Sequence, residues 1–576
     1  MTKTISINDS FSLARRDLLR LGAASGAGLA LSGLLPAWAQ PVSSGLPVVS
    51  GEDITLSIAR GSLMLGGKPS RAVTINGTVP GPLIRLKRGQ NVRLRVENRL
   101  DEDTSIHWHG LLVPFQMDGV PGVSFPGIKA GQTFVYEFPI EQAGTYWYHS
   151  HSGWQEMMGQ YGPIVIDPAG EERAPFDREH VVVLSDHSFV HPKTILRNLK
   201  RDPGYYNRQK QTLAGLLAGK DQSLSERLEW GRMRMDPTDI SDVTGAVFTY
   251  LINGHGPQEN WTALFAPGER VRLRFINASA MTMFNVRIPG LSLEVVAADG
   301  QDVEPVEVAE FQFSPGETYD VIARPQEDRA FTIVGESVDR SGMAVATLVP
   351  RVGMRGDVPP LRERPLLTMK DMGMEMEGMD MEFMDMSGHS MRDGRNAPQV
   401  ALGPGVEMIN PMPMDRTGEP GLGLANAGHK VLVYRDLVAR DPNPDTRAPE
   451  REIEVHLTGA MDRYMWSFDG KTMAEAHEPI PIRTGERVRF TLVNDTMMAH
   501  PIHLHGHFFE LVTGKGAHAP RKHTVNVLPG GKVSWDVTGI AGDWAFHCHM
   551  FLHMATGMMR VVQVRDAGSV AKEEEA

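Results

Sequence analysis

Gly89-Gln90-Asn91-Val92-Arg93-Leu94-Arg95-Val96-Glu97-Asn98 is the stretch that decides the fold, because the chain carries three versions of it. Gly268-Glu269-Arg270-Val271-Arg272-Leu273-Arg274-Phe275-Ile276-Asn277 and Gly485-Glu486-Arg487-Val488-Arg489-Phe490-Thr491-Leu492-Val493-Asn494 keep its glycine, its apolar positions and its final asparagine. Each copy alternates apolar and polar side chains, which is the period of a strand with one face in a sandwich core. Three copies of one β module are therefore expected. The second interval is longer than the first, and a methionine-rich segment at 369–391 falls inside it, so the excess reads as an insertion.

Working outward, residues 45–170, 171–350 and 426–566 each hold short runs of Val, Ile, Phe and Tyr punctuated by Gly and Pro. That is the pattern of Greek-key sandwiches. The expectation is an all-β chain of three β-sandwich domains, with residues 351–425 as a linker containing the methionine-rich insertion. The middle domain is expected to act as a spacer. Helix is expected only at 207–235, where Leu213, Leu216, Leu217, Leu224 and Leu228 would line one face of an excursion padding the second domain.

Composition agrees with a folded, turn-dense chain: of 576 residues, 41% are hydrophobic and 22% charged, with 59 Gly and 39 Pro. A net charge of −12 disfavours nucleic acid as a partner. The single cysteine, Cys548, excludes an intrachain disulfide framework and calls for another role. Residues 1–39 carry Arg15-Arg16, an uncharged run from Leu21 to Leu35 too short to span a bilayer, and Ala37-Trp38-Ala39. They read as a twin-arginine signal peptide cleaved after Ala39, which places a mature chain without a membrane span in the periplasm.

Four His-x-His pairs occur: His107 and His109, His149 and His151, His503 and His505, His547 and His549. Residues two apart on a strand project to one side, so each pair offers two imidazoles to one space. Eight such nitrogens make a metal site. Gly144-Thr145-Tyr146-Trp147-Tyr148-His149-Ser150-His151 aligns with Gly542-Asp543-Trp544-Ala545-Phe546-His547-Cys548-His549, so Ser150 stands where Cys548 stands, and Thr104 stands where His500 stands. Ligands so far apart in sequence must converge between the first and last domains. A second set, His500, Cys548, His553 and Met558, offers two imidazoles, a thiolate and a thioether, the donors of a blue-copper electron-transfer site. Because His547 and His549 flank Cys548, one cysteine joins both sites.

At these residues the chain resembles the multicopper oxidases. The family's four motifs stand as His107-Trp108-His109-Gly110, His149-Ser150-His151, His500-Pro501-Ile502-His503-Leu504-His505 and His547-Cys548-His549 followed by His553 and Met558. The resemblance implies cupredoxin-like domains and four coppers per chain: one type 1, one type 2 and a type 3 pair. It implies that His107 and His503 hold the type 2 copper. It further implies that His109, His149, His151, His505, His547 and His549 hold the type 3 pair, where O2 is reduced to water by electrons relayed from the type 1 copper. Asp118 would supply protons there; the plainer reading of Asp118-Gly119 is a turn.

A closer resemblance, to the CopA-type periplasmic copper-resistance oxidases, runs through most of residues 45–566. It is carried by Arg232-Met233-Arg234-Met235-Asp236-Pro237-Thr238-Asp239 with Asp242-Val243-Thr244-Gly245, Arg287-Ile288-Pro289-Gly290, Met461-Asp462-Arg463-Tyr464-Met465-Trp466 and Asn494-Asp495-Thr496-Met497-Met498. It implies oxidation of Cu(I) to Cu(II) together with copper binding; other periplasmic copper proteins are candidate partners, and a monomer is expected. Some cuprous oxidases have Glu after the last type 1 histidine; this chain has Met554.

The methionine-rich segment offers soft ligands for accessory Cu(I) at Met369, Met372, Met374, Met376, Met379, Met381, Met384, Met386, His389 and Met391 among acidic residues, against the alternative of an acidic linker. Met233 and Met235 are expected to pack. His180, His187, His191, His255, His456, His477, His518 and His523 lack paired spacing and are expected to be structural, as is His507, one step past the third motif. Two rivals to the copper-resistance oxidase remain: a laccase oxidising phenols, and a copper-sequestering protein with incidental oxidase activity.

Overall fold

The computed structural model describes residues 45–373 and 391–566. The export signal, and Met374 to His389 of the methionine-rich segment, lie outside the described residues. Each copy of the repeat forms a strand, Asn91–Asn98, Val271–Asn277 and Arg487–Asn494. Each runs parallel to an earlier strand, respectively Asp53–Leu65, Arg178–His187 and Arg451–Ala460. Each also pairs antiparallel with a later one, respectively Thr133–Pro139, Thr318–Ala323 and Gly531–Thr538. The same small piece of topology is thus built three times, and a second sheet accompanies each copy.

The alternation of the repeat is realised differently in each copy. In Asn91–Asn98 the even face is buried in a core with Ile54, Leu56, Ile84 and Tyr146, while Arg93 and Arg95 stay at the surface. In Val271–Asn277 both faces are buried. There Arg272 and Arg274 pair with Asp320, Glu172 and Glu179 of their own unit, and Arg274 Nη1 also donates to Thr145 Oγ1 of the first unit at 3.0 Å, so a polar position that looks solvent-facing becomes part of an interface.

The terminal asparagine has the same task in every copy. Asn98 Nδ2 donates to the carbonyls of Glu102 and Ile128, Asn277 Nδ2 to those of Thr282 and Phe313, and Asn494 Nδ2 to those of Met498 and Val527. Their Oδ1 atoms accept from the amides of Leu100, Ser279 and Thr496. One side chain thereby shapes the loop that leads into the next strand, and in the first and third units that strand is His107–His109 or His500–Leu504.

The helical expectation needs correction. The stretch 207–235 forms two short helices, Leu213–Leu217 and Leu224–Arg232, but Leu213, Leu217, Leu224 and Leu228 are 71%, 81%, 58% and 54% exposed. Only Trp230 is buried there, so the leucines do not form a face against the domain. The helix that does pack, Pro192–Arg201, was not expected; it starts with a His191 cap and Pro192, and buries Ile195 and Leu199 one turn apart. A last short helix, Phe551–Thr556, interrupts the loop between the strands Gly542–Cys548 and Met559–Arg565. Among the described residues no helix is long and apolar enough to cross a membrane.

Candidate metal centres

Strand register brings the histidine pairs together before any ligand is considered. His107 sits opposite His149 in one sheet, and His503 sits opposite His547 in another, next to the pair Ile502 and Cys548. The two sheets meet face to face, with the His107 ring stacked on His505 at 3.8 Å and the His109 ring on His503 at 3.9 Å. The expected convergence of first and last units is what the structure shows.

Within the cluster the ligand-capable atoms sort into triplets, each within 4.8 Å: His109, His149 and His549; His151, His505 and His547; His107, His109 and His503. All are buried except His151, which is partly so. Hydrogen bonds aim the rings. His107 Nδ1 lies 2.8 Å from the Asp118 carbonyl, His503 Nδ1 2.6 Å from the His523 carbonyl, and His547 Nδ1 2.9 Å from the Cys548 carbonyl. Each contact places the proton on Nδ1 and leaves Nε2 free toward the neighbouring rings.

Several of these free nitrogens, His107 Nε2, His149 Nε2, His151 Nε2 and His503 Nε2, are buried with no hydrogen-bond partner. Burial, reinforced by the neighbouring imidazoles, pushes His109, His151, His503, His505 and His549 well below the usual range, and His547 down to about 3. Neutral, unpartnered, converging imidazoles are the donor set of a bound metal; without one they would be costly to bury.

Two carboxylates border the cluster. Asp118 is 1% exposed, with Oδ2 2.9 Å from His505 Nδ1. Gly119 takes φ +86°, so the Asp-Gly turn and the carboxylate contact are both present. The second, Glu156, was missed: its Oε2 lies 3.0 Å from His149 Nδ1, and burial pushes its carboxyl up to about 8. It stands six residues past Ser150, as Met554 stands six past Cys548, so the repeat itself carried the signal.

The second site is equally buried. Cys548 Sγ lies 3.6 Å from His500 Nδ1 and 3.7 Å from His553 Nδ1, and the two nitrogens are 3.1 Å apart. Thr496 Oγ1, 2.7 Å from His500 Nε2, and Asp242 Oδ2, 2.7 Å from His553 Nε2, turn both Nδ1 atoms inward. The Trp466 ring stacks on His553 at 4.0 Å, and Tyr464 donates to Asp242. Met558 is fully buried, and its carbonyl accepts from the Cys548 amide at 3.1 Å. Burial pushes the Cys548 thiol up, so in the protein alone it stays protonated. A soft cation would have to displace that proton.

The first unit retains a metal-free counterpart of this site. Thr104, Ser150, Gln155 and Gln160 occupy the positions of His500, Cys548, His553 and Met558, and they bond to one another. Ser150 Oγ donates to Gln155 Oε1 at 2.9 Å, Thr104 Oγ1 to the same atom at 2.8 Å, and Gln160 Nε2 to Thr104 Oγ1 at 3.0 Å. Hydrogen bonds there hold the loop that follows His149 and His151.

The middle unit adds no member of the triplets, yet it is more than a separator. A Cβ at Gly316 would lie 2.9 Å from His549 Cδ2 and 3.2 Å from His109 Cε1, so the chain passes directly against the cluster. His523 also departs from expectation. Its ring centroid is 4.7 Å from that of His109, and it walls the cluster. A Cβ at Gly110 would sit 2.5 Å from its Nε2, which is why glycine follows His109. The other unpaired histidines behave as structural groups: His180 and His518 bond to carbonyls, His456 to Asp495, His187 to Ser70, and His191 caps a helix.

The described part of the methionine-rich segment is packed. Met372 is fully buried, Met369 and Met391 lean on the same core, and Asp371 is held by Arg416 at 2.8 Å. Met372 is a core residue rather than an open ligand, Met369 and Met391 are partly buried against that core, and the acid is neutralised. Met233 and Met235 likewise pack on the core.

Models of the multicopper oxidase family match residues 58–171, 224–351 and 446–568. The chain is 46% identical to the copper resistance protein A homolog of Pseudomonas syringae pv. tomato, over 94% of this chain and 98% of that protein. It is 46% identical to copper resistance protein A of Escherichia coli, over the same shares. Among solved structures, Fet3p, described as a multicopper oxidase that functions in iron import, superimposes with a TM-score of 0.63 at 17% identity, over 90% of each chain.

Proposed function

The chain belongs to the multicopper oxidase family, and from that premise we propose that it is a periplasmic copper-resistance oxidase, oxidising Cu(I) to Cu(II) and passing the electrons to O2. Copper supplies the redox chemistry, one-electron uptake at a thiolate-bound site and O2 reduction at a cluster. In this reading the protein holds four coppers. His500, Cys548 and His553, with the Met558 thioether as a further soft donor, would hold type 1. His107 and His503 hold type 2. The triplet of His109, His149 and His549 and the triplet of His151, His505 and His547 hold one type 3 copper each. The observation that carries the assignment is the arrangement of the two nitrogen triplets around a single cysteine whose neighbours belong one to each.

The chain's own residues then have definite tasks. Asp242 orients His553 through Nε2, and Trp466 shields it from water. Asp118, against His505, holds a carboxylate where reduction of O2 consumes protons. Export by the twin-arginine route is supported by Arg15-Arg16 and the short apolar run that follows.

The preference for Cu(I) over phenols is tested by steady-state oxidation of both by purified protein, with and without residues 374–390. That deletion spares Met372 and Asp371, which are buried, and Met369 and Met391, which pack against the core. If the remaining soft ligands collect Cu(I), deletion raises the KM for Cu(I) several-fold and leaves phenol oxidation unchanged. Equal kinetics for Cu(I) with and without the segment would refute the collecting role. Faster turnover of phenols than of Cu(I) by the intact protein would favour a laccase.

A further inference from the structure

Thr524 is a residue where all three units meet, its hydroxyl lying between the first and third and its amide bonded to the middle one. Thr524 begins the strand Thr524–Val527 of the third unit, and its Oγ1 lies 3.2 Å from His109 Nε2 of the first unit. The same oxygen lies 3.2 Å from His503 Nδ1 and 3.1 Å from His523 Nδ1. A hydroxyl has one proton and two lone pairs, so these contacts constrain one another.

The protons can be placed one at a time. His503 Nδ1 is closest to the His523 carbonyl, 2.6 Å away, and so carries a proton, leaving His503 Nε2 free. His109 Nδ1 lies 3.2 Å from His549 Nε2, inside a ligand triplet, so it is the lone-pair nitrogen and His109 Nε2 carries the proton. That proton is donated to Thr524 Oγ1, and the hydroxyl donates its own to His523 Nδ1. His109 thus faces the cluster through the opposite nitrogen from His107 and His503, and the hydroxyl is the group that holds it so.

Thr524 is itself held from the middle unit. The amides of His523 and Thr524 donate to Asp299 Oδ2 at 3.1 and 3.2 Å. Asp299 is fully buried, with Lys522 Nζ 3.1 Å from the same oxygen and 3.2 Å from Glu317 Oε1. Asp299 Oδ1 accepts from the Thr318 amide at 3.0 Å, which ties the carboxylate back to its own sheet. A buried ion pair thereby fixes a backbone segment that fixes a hydroxyl that fixes a ring nitrogen.

We infer that Thr524 is a positioning residue for the histidine cluster, setting the tautomer of His109 and steadying His503, and that Asp299 sets Thr524 from the middle unit. The inference rests on the copper reading proposed above. It is tested on the full chain loaded with copper, using Thr524→Val, which keeps the shape and removes the hydroxyl, Thr524→Ser, which restores the hydroxyl, and Asp299→Asn. Copper per chain, the type 2 paramagnetic signal and the blue thiolate band are followed during challenge with a chelator. Thr524→Val is expected to lose cluster copper about tenfold more readily, the usual scale for removing an outer hydrogen bond to a ligand, with the blue band unchanged. Thr524→Ser is expected to behave as wild type and Asp299→Asn to fall between. Wild-type retention of cluster copper by Thr524→Val overturns the inference. So does parallel loss of the blue band and cluster copper in both Thr524→Val and Thr524→Ser, which would mark a general packing defect. Absence of cluster copper from the wild-type protein would instead overturn the function proposed above, and this inference with it.

Discussion

At the scale of single residues, the two sites are arranged by contacts that decide which nitrogen of each ring is free. His500 and His553 turn Nδ1 to the sulfur because Thr496 and Asp242 occupy their Nε2 atoms, whereas His107 and His503 present Nε2 because carbonyls occupy Nδ1. Cysteine is the one residue with no substitute in this scheme, since serine is a poor ligand for a soft metal. Cys548→Ser is therefore expected to lose the blue band and steady-state turnover while keeping copper at the histidine triplets, measured by absorption and copper content. Blue colour in that variant would sink the type 1 assignment. The first unit shows the natural counterpart of the exchange, for Ser150 there bonds to Gln155 instead of holding a metal.

At the scale of elements, each ligand strand is aimed by the loop before it, and that loop is built on one asparagine. Asn494 satisfies the carbonyls of Met498 and Val527 and the amide of Thr496 just ahead of His500. Removing it leaves buried backbone groups without partners, at a cost of about 1–3 kcal/mol each. Asn494→Ala is expected to lower the melting temperature and weaken the blue band together. The helices at 213–232 give the opposite expectation. Leu217 is 81% exposed, so Leu217→Ser is expected to change stability by less than about 0.5 kcal/mol in denaturant titration. A larger loss would mean that those leucines are covered in solution.

At the scale of the whole molecule, the histidine cluster exists only when the first and third units are assembled, and the middle unit lies against it. His109 and His549 come from opposite ends of the chain and approach to 3.2 Å, with Gly316 of the middle unit against both. Copper binding and assembly are therefore linked, and the twin-arginine route proposed above would suit such a chain if it folds before export. Replacing Arg15 and Arg16 together by lysine is expected to leave the precursor uncleaved and absent from the periplasmic fraction, scored by immunoblot. Normal periplasmic amounts of the double variant would show that another route serves.

What the sequence determined by itself follows from periodicity and spacing. Alternation in the three repeats was enough to give strands, because side-chain direction in a strand has a period of two whatever surrounds it. His-x-His spacing gave the pairs for the same reason, and the donor types around Cys548 named copper. What only the tertiary structure decided concerns partners distant in sequence. That Arg272 and Arg274 are buried, that Met372 is core and Leu217 is not, and that His523 and Thr524 wall the cluster depend on which surfaces meet. A polar side chain on an outward face reads the same whether water or another unit lies opposite, and a lone histidine carries no spacing to reveal its neighbour. Those contacts are set by the packing of three modules, which no local pattern records.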